Sequence, residues 1–143
     1  MKYTLITGAS QGMGLHMAKE CAALNRNILL ISLPNENLQK LSLEIKEKYS
    51  VQSAYFEIDL TEKDSAKNIF NWVKKNNYSI DFLINNAGFG GVGSFEDYSI
   101  EYIEKMIDLN ILQQTRYYHL YTVYMCWNNS MQRRVFQISN IEL

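Results

Sequence analysis

An α/β fold with a doubly wound parallel sheet is predicted by three features of this sequence. Short apolar runs recur along the chain. Longer stretches of 3.6-residue periodicity separate them. A glycine-rich loop joins the first run to the first periodic stretch. Strands buried on both faces read as continuous apolar runs. Strand–helix repetition predicts a parallel sheet with helices on both faces. The right-handed crossover rule leaves few topologies, of which the doubly wound Rossmann order is favoured.

Each element has its own signal. Tyr3 to Thr7 reads as a strand, and Met13 to Leu24 as a helix with Met13, Met17, Cys21 and Leu24 along one face. The run Asn27 to Ser32 has the signature of a strand buried on both sides. Leu38, Leu41 and Ile45 mark a second helix, and Gln52 to Ile58 a third strand. Thr61 is expected to cap a third helix, with Asp64 three residues on and Ala66, Ile69 and Val73 facing inward. Asp81 to Asn85 reads as a fourth strand. Ser99 begins a long helix through Ile103, Met106, Ile107, Asn110 and Ile111 toward the mid-120s. Arg134 to Ser139 reads as a fifth strand.

Composition narrows the possibilities. A chain of 143 residues suits one domain, residues 1–143, and 47% apolar residues suffice for a core. A net charge of -1 argues against a general nucleic-acid binder. Two cysteines, Cys21 and Cys126, make neither a disulfide framework nor a cysteine-rich zinc site. His16 and His119 are isolated, so no metal site is predicted. No apolar run approaches the length of a membrane span. The first residues run straight into a strand without a signal peptide, and free thiols fit a cytoplasmic setting. One proline, Pro34, and no Gly/Ser-rich tract leave no visible linker, and no solenoid-type repeat occurs.

The loop Thr7-Gly8-Ala9-Ser10-Gln11-Gly12-Met13-Gly14 carries the first chemistry. Gly8 permits a sharp exit from the strand. Gly12 lets backbone approach a diphosphate, and Gly14 lets the helix pack tightly on the sheet. The helix that follows offers unpaired N–H groups and a partial positive charge. A plain glycine-rich turn is the alternative, but placement between a strand and a helix is the context that favours a phosphate site.

These residues resemble the short-chain dehydrogenase/reductase family. Thr7, Gly8, Gly12 and Gly14 match its T-G-x-x-x-G-x-G loop, and Asn85-Asn86-Ala87-Gly88 matches its N-N-A-G motif. Asp59-Leu60 stands where the family places an acid against the adenine ring, and Asn110 where it places an active-site asparagine. The likeness runs through residues 3 to 112 and weakens beyond them. Taken singly, Asn85 and Asn86 also read as a loop cap, Asp59 as a helix-start acid, and Asn110 as an interior residue bonded to a nearby carbonyl. The resemblance implies strand order 3-2-1-4-5 and an NAD(P) site. Its candidate cofactor-binding residues are Gly8, Ser10, Gln11, Gly12, Met13, Gly14, Ser32, Asp59, Leu60, Asn86, Ala87 and Gly88. The implied substrate is a small carbonyl or alcohol compound.

The choice of dinucleotide turns on the end of the second strand. An acid there selects NAD, and a basic residue accepts the 2′-phosphate of NADP. The strand ends Ile31-Ser32-Leu33-Pro34-Asn35-Glu36, with Ser32 or Leu33 in the deciding place. The missing acid tilts the choice slightly to NADP. Glu36 is the counter-sign, though it reads as the start of the next helix.

Family chemistry also implies a tyrosine that exchanges the substrate's proton and a lysine four residues later that lowers its pKa. None of the ten tyrosines is followed by lysine at that spacing, and no lysine follows Lys105. The family's serine position falls on Asn140, with Ser139 one place off, so Ser139 joins Asn110 as a catalytic candidate. The aromatic run from Tyr117 to Trp127 reads either as an unusual helix packed on a partner or as a truncated or altered reading frame. The expectation is a C-terminally incomplete domain that binds cofactor without the catalytic pair. Its fifth strand would then be an open edge and its apolar surface bare. Family-type pairing of two copies is doubtful there, because one interface helix is missing. A non-catalytic dinucleotide-binding module or pseudoenzyme is the competing reading.

Overall fold

Alternation along each strand sorts the core into two halves. A computed structural model describes residues 1–91, 93–127 and 134–137. Leu5, Leu29, Ile31 and Leu83 point to one side of the sheet, and Ile6, Ile28, Leu30 and Ile84 to the other. This is the two-residue period of a pleated strand, and with helices on both sides both faces of the sheet bury apolar residues. Each fully buried Leu or Ile contributes about 1.5–3 kcal/mol.

The strands are β1 (Lys2–Thr7), β2 (Asn27–Ser32), β3 (Ser53–Glu57), β4 (Ser79–Asn85) and β5 (Arg134–Gln137). They pair in parallel, in the order β3-β2-β1-β4-β5, as expected from the sequence. The predicted residues Ile138 and Ser139 of the fifth strand lie outside the described residues. Helices α1 (Gly12–Ala23) and α2 (Leu38–Tyr49) contribute to one half of the core. Helices α3 (Ser65–Lys75) and α5 (Gln114–Trp127) contribute to the other, while α4 (Ile100–Ile107) buries none of its residues.

Four expectations need correction. The core face of α1 is Gly14, Ala18, Cys21 and Ala22, while Met13 and Leu24 are exposed. Small residues let the helix lie close to the sheet, where a methionine stripe would hold it off. Thr61 does not cap α3. Its N–H and hydroxyl both donate to Asp59 Oδ1 (2.8 and 2.7 Å), and the helix starts four residues later behind Asp64. The long helix from Ser99 is not uniform. Ser99 caps it, accepting from the Tyr102 N–H at 3.3 Å, but residues 108–113 form a π turn between α4 and α5. Glu36 does not open α2, which begins at Leu38 behind a left-handed Asn37.

The aromatic stretch belongs to the core. Tyr117 and Tyr121, one helical turn apart, are almost wholly buried on the α3 side of the sheet. The Tyr117 hydroxyl donates to Ser65 Oγ (3.0 Å), which donates in turn to the Leu60 carbonyl (3.0 Å). Burial pushes the Tyr117 phenol well above the ordinary tyrosine range.

Candidate functional site: a cleft over the carboxyl ends of the strands

In open α/β sheets ligands bind outside the carboxyl ends of the strands, where chain order reverses. Here the reversal falls between β1, β2 and β4. A cleft of about 510 Å³ opens there, lined by the β1–α1 loop, the ends of β2 and β3, and the segment after β4.

Its floor is a clasp between β1 and β4. The N–H groups of Asn86 and Ala87 donate to Thr7 Oγ1 (3.0 and 3.1 Å). Asn86 Nδ2 donates to the carbonyls of Thr7 and Gly8, each at 3.1 Å. This threads the asparagine side chain beneath the glycine loop, and only glycine fits around it. A Cβ on Gly14 would stand 2.1 Å from the Gly8 carbonyl oxygen and 2.5 Å from Asn86 Nδ2. Gly8 combines a left-handed φ of +65° with an imagined Cβ only 2.9 Å from Ala87 Cα.

Above the clasp, α1 aims its N-terminus at the cleft. Gln11 makes no side-chain cap, and no acidic residue lies in the first turn. The N–H groups and positive pole of the helix are thus left for an anion. At the β3 end, Asp59 Oδ1 is occupied by Thr61, leaving Oδ2 for a donor in the cleft. At the β2 end, Ser32 Oγ lies 2.9 Å from Ser10 Oγ and donates to Glu36.

The structure brings most predicted residues to one place. Gly8, Ser10, Gln11, Gly12, Met13, Ser32, Asp59, Leu60, Asn86, Ala87 and Gly88 all line the cleft. Gly14 does not; it lies beneath, against Gly8. Asn110 is also absent from the lining. It spends its side chain on Phe89, accepting from the N–H at 3.2 Å and donating to the carbonyl at 2.8 Å. Ser139 lies outside the described residues. Leu33 and Glu36, weighed above for the choice of dinucleotide, line the cleft too, and Ile58, Thr61, Phe89, Lys105 and Leu109 do so without having been singled out as site residues. Lys105 and Leu109 stand four residues apart, the spacing of one helix face, a signal the sequence did contain.

Gln114 was missed as well. Its side-chain Nε2 donates to the Ala87 carbonyl (3.1 Å), and its backbone carbonyl accepts from Asn85 Nδ2 (3.4 Å). It ties α5 to the segment after β4.

The chain matches the short chain dehydrogenase family over residues 2–139. It is 38% identical over 87 residues to a fatty acyl-CoA reductase of Acinetobacter baylyi, covering 61% of this chain and 29% of that protein. It is 30% identical over 119 residues to the very-long-chain 3-oxoacyl-CoA reductase of Macaca fascicularis, covering 78% of this chain and 36% of that one. Among solved structures, a short-chain dehydrogenase from Sphingobium yanoikuyae in complex with NADPH superimposes with a TM-score of 0.85 at 25% identity. The match covers 96% of this chain and 53% of that one. The aligned parts thus make up about a third of these curated relatives and half of that solved chain. Among the described residues no helix is long and apolar enough to cross a membrane.

Proposed function

The chain belongs to the short-chain dehydrogenase/reductase family, and on that premise we propose that these 143 residues are the dinucleotide-binding part of an NAD(P)-dependent oxidoreductase. One observation carries this reading. The uncapped, acid-free start of α1 opens on the same cleft as Asp59 and the Asn86–Gly88 segment. The donor set fits a dinucleotide. Backbone N–H groups at Gly12 and Met13 would take the diphosphate. Asp59 Oδ2 would accept from the adenine amine. Ser10 and Ser32 would face the adenosine ribose, with Gln11 and Leu60 beside it. Asn86, Ala87 and Gly88 would form the wall on the way to the nicotinamide. Relatives support this: the Sphingobium yanoikuyae structure holds NADPH, and a 3-quinuclidinone reductase from Rhodotorula rubra, 26% identical, is NADPH-dependent.

The bound nicotinamide would supply hydride to a carbonyl carbon or accept it from an alcohol. This chain's own residues do the holding. Asn110 acts as a positioning residue through Phe89, which lines the cleft. Its π turn is of a kind frequent at functional sites. Ser139 remains the candidate for orienting the substrate oxygen. No Tyr-x-x-x-Lys pair occurs in these 143 residues, so we propose binding without turnover for this stretch by itself.

Titration with NADH, NADPH and S-adenosylmethionine, followed by melting temperature, tests the reading. A nicotinamide dinucleotide should raise the midpoint, by about 2.7 kcal/mol of stabilisation at a hundredfold excess over Kd. S-adenosylmethionine should leave it unchanged. Stabilisation by S-adenosylmethionine alone would overturn the dinucleotide assignment. Measurable ketone reduction would overturn the absence of turnover.

A further inference from the structure

Strand β3 is one margin of the sheet, with β2 as its only neighbour. In a parallel ladder every second residue turns its N–H and C=O toward the neighbouring strand, and the residues between turn theirs away. The Ile28 N–H donates to the Gln52 carbonyl and the Ile58 N–H to the Ser32 carbonyl, each at 2.8 Å. With Ile28 opposite Ser53 and Ser32 opposite Glu57, the outward groups are those of Ser53, Tyr55 and Glu57. Among the described residues no backbone group bonds to them. Exposed edges are normally blunted by lysine, proline or a bulge. The run Ser53-Ala54-Tyr55-Phe56-Glu57 holds neither lysine nor proline, and its register with β2 is unbroken.

A second groove, of about 460 Å³, follows the first half of this edge. Helix α2 makes one wall with Gln39, Leu43 and Lys46. Ser42 donates to Ser53 Oγ (3.1 Å) and holds that wall to the strand. Trp72 and Tyr78 make the other wall. Trp72 stacks on Phe56 with ring centroids 5.3 Å apart and meets Tyr78 edge-on at 5.2 Å. The two walls belong to opposite halves of the core, so the groove wraps around the strand edge. A compact ligand would cover one face of the sheet. Filling this groove takes something that covers both faces and answers a row of N–H and C=O groups, and an added strand does both.

The walls also set the chemistry of that strand. Its side chains alternate between the two faces. Those on the α2 side reach Lys46, the only charged residue lining the groove, and those on the other side reach Trp72. The matching segment alternates acidic and apolar residues. A second copy of β3 is a poorer match, because antiparallel pairing about a two-fold axis sets its Lys46 on the same face as the first.

We propose that the β3 edge is a docking site for an extended peptide segment of another protein, added to the sheet as an outer strand with acidic side chains toward Lys46 and apolar ones toward Trp72. The inference is independent of the dinucleotide reading, since the groove shares no residue with the cleft.

Amide hydrogen exchange on the full 143-residue chain, with a blocked pentapeptide alternating valine and aspartate as the probe, tests it. At a tenfold excess of peptide over Kd, exchange at Ser53, Tyr55 and Glu57 should slow by about tenfold. Ala54 and Phe56, already bonded to β2, should not change. A peptide with lysine in place of aspartate should bind more weakly, by up to about fivefold for one exposed ion pair, and Lys46→Glu should reverse that order. Tyr55→Pro removes one outward N–H at an edge position of the kind that admits proline, and it should abolish binding; the exposed Lys46→Glu change carries the test if the proline variant does not fold. No slowing at the three outward amides overturns the docking site. Equal binding of the two peptides, or an order unchanged by Lys46→Glu, overturns the acidic occupant. Slowing that grows with protein concentration and needs no peptide would place a second copy there and overturn the foreign partner.

Discussion

The two flanks of the cleft are built on opposite principles. On the amino-terminal flank, the side chains of Thr7 and Asn86 bond to backbone across the β1–β4 seam, Gly14 packs directly against Gly8, and every contact is buried or nearly so. On the other flank, α4 buries none of its residues, and Ile100, Ile107, Ile111 and Leu112 stay exposed. That flank grips the cleft through side chains reaching backbone: Tyr102 to the Gly90 carbonyl (3.0 Å), Asn110 to Phe89 and Gln114 to Ala87. Steric exclusion fixes the first flank, so it tolerates no added atom. Replaceable polar contacts fix the second, so it should tolerate many changes one at a time.

The harshest break in this contrast is Gly14→Ala. The added carbon meets the Gly8 carbonyl at 2.1 Å, and the loop has no room to retreat because Asn86 lies behind it. The expected cost is about 3 kcal/mol or more, at or above the upper end for overpacking. That lowers the melting midpoint by roughly 10 °C and abolishes stabilisation by dinucleotide. A midpoint within two or three degrees of the parent's, in a thermal melt, would contradict the tight clasp.

Thr7→Val comes next. It keeps the shape and removes the oxygen that receives both the Asn86 and Ala87 N–H groups. Two donors are left in or near the interior without a partner, at about 1–3 kcal/mol for each that is fully buried. The expected loss is about 2 kcal/mol in urea unfolding, with weaker dinucleotide binding. Unchanged stability would show that water replaces the hydroxyl.

The same contrast explains what the sequence disclosed. Gly8, Gly14, Thr7 and Asn86 were legible because backbone geometry admits few residue types there, and a requirement of that kind leaves a fixed spacing. Alternation of elements and the handedness of crossovers pointed to a doubly wound parallel sheet, while the strand order itself came from the family resemblance. The face of α1 was misread because apolarity alone favours Met13 and Leu24, whereas close packing on the sheet demands Gly14, Ala18 and Ala22. Glu36 was misplaced because two left-handed asparagines bend the chain there, and asparagine marks such a turn only weakly. Asn110 was legible as a position, but its partner Phe89 stands 21 residues away and no local pattern reveals it.

A smaller effect is expected at Tyr117, which supports the β3 end of the cleft through Ser65 and Leu60. Tyr117→Phe removes one hydrogen bond and should cost about 1 kcal/mol at neutral pH. Its pH dependence is more telling. Burial raises the folded phenol's pKa above the unfolded value of about 10. Above that pH the unfolded chain binds fewer protons than the folded one, so this residue's contribution falls as pH rises. Urea midpoints at pH 8 and pH 10.5 should drop less in the phenylalanine variant than in the parent. An equal drop in both would place the titrating group elsewhere.

The smallest effect on the fold itself belongs to the outer face of α4 and the π turn. Ile107 is 46% exposed and Ile111 48%, four residues apart on one face. Replacing both with glutamine removes no core contact, so unfolding free energy should move by only about 0.5 kcal/mol per site. What should change is association. With Ile100 and Leu112 beside them, they form an apolar face of the kind that marks an interaction surface rather than a monomer's exterior. The parent chain is therefore expected to sediment as more than a monomer, or to lose solubility on concentration, and the double variant to do neither. A parent that sediments as a monodisperse monomer would mean that the open flank needs no cover, and its contrast with the closed flank would then be one of packing alone.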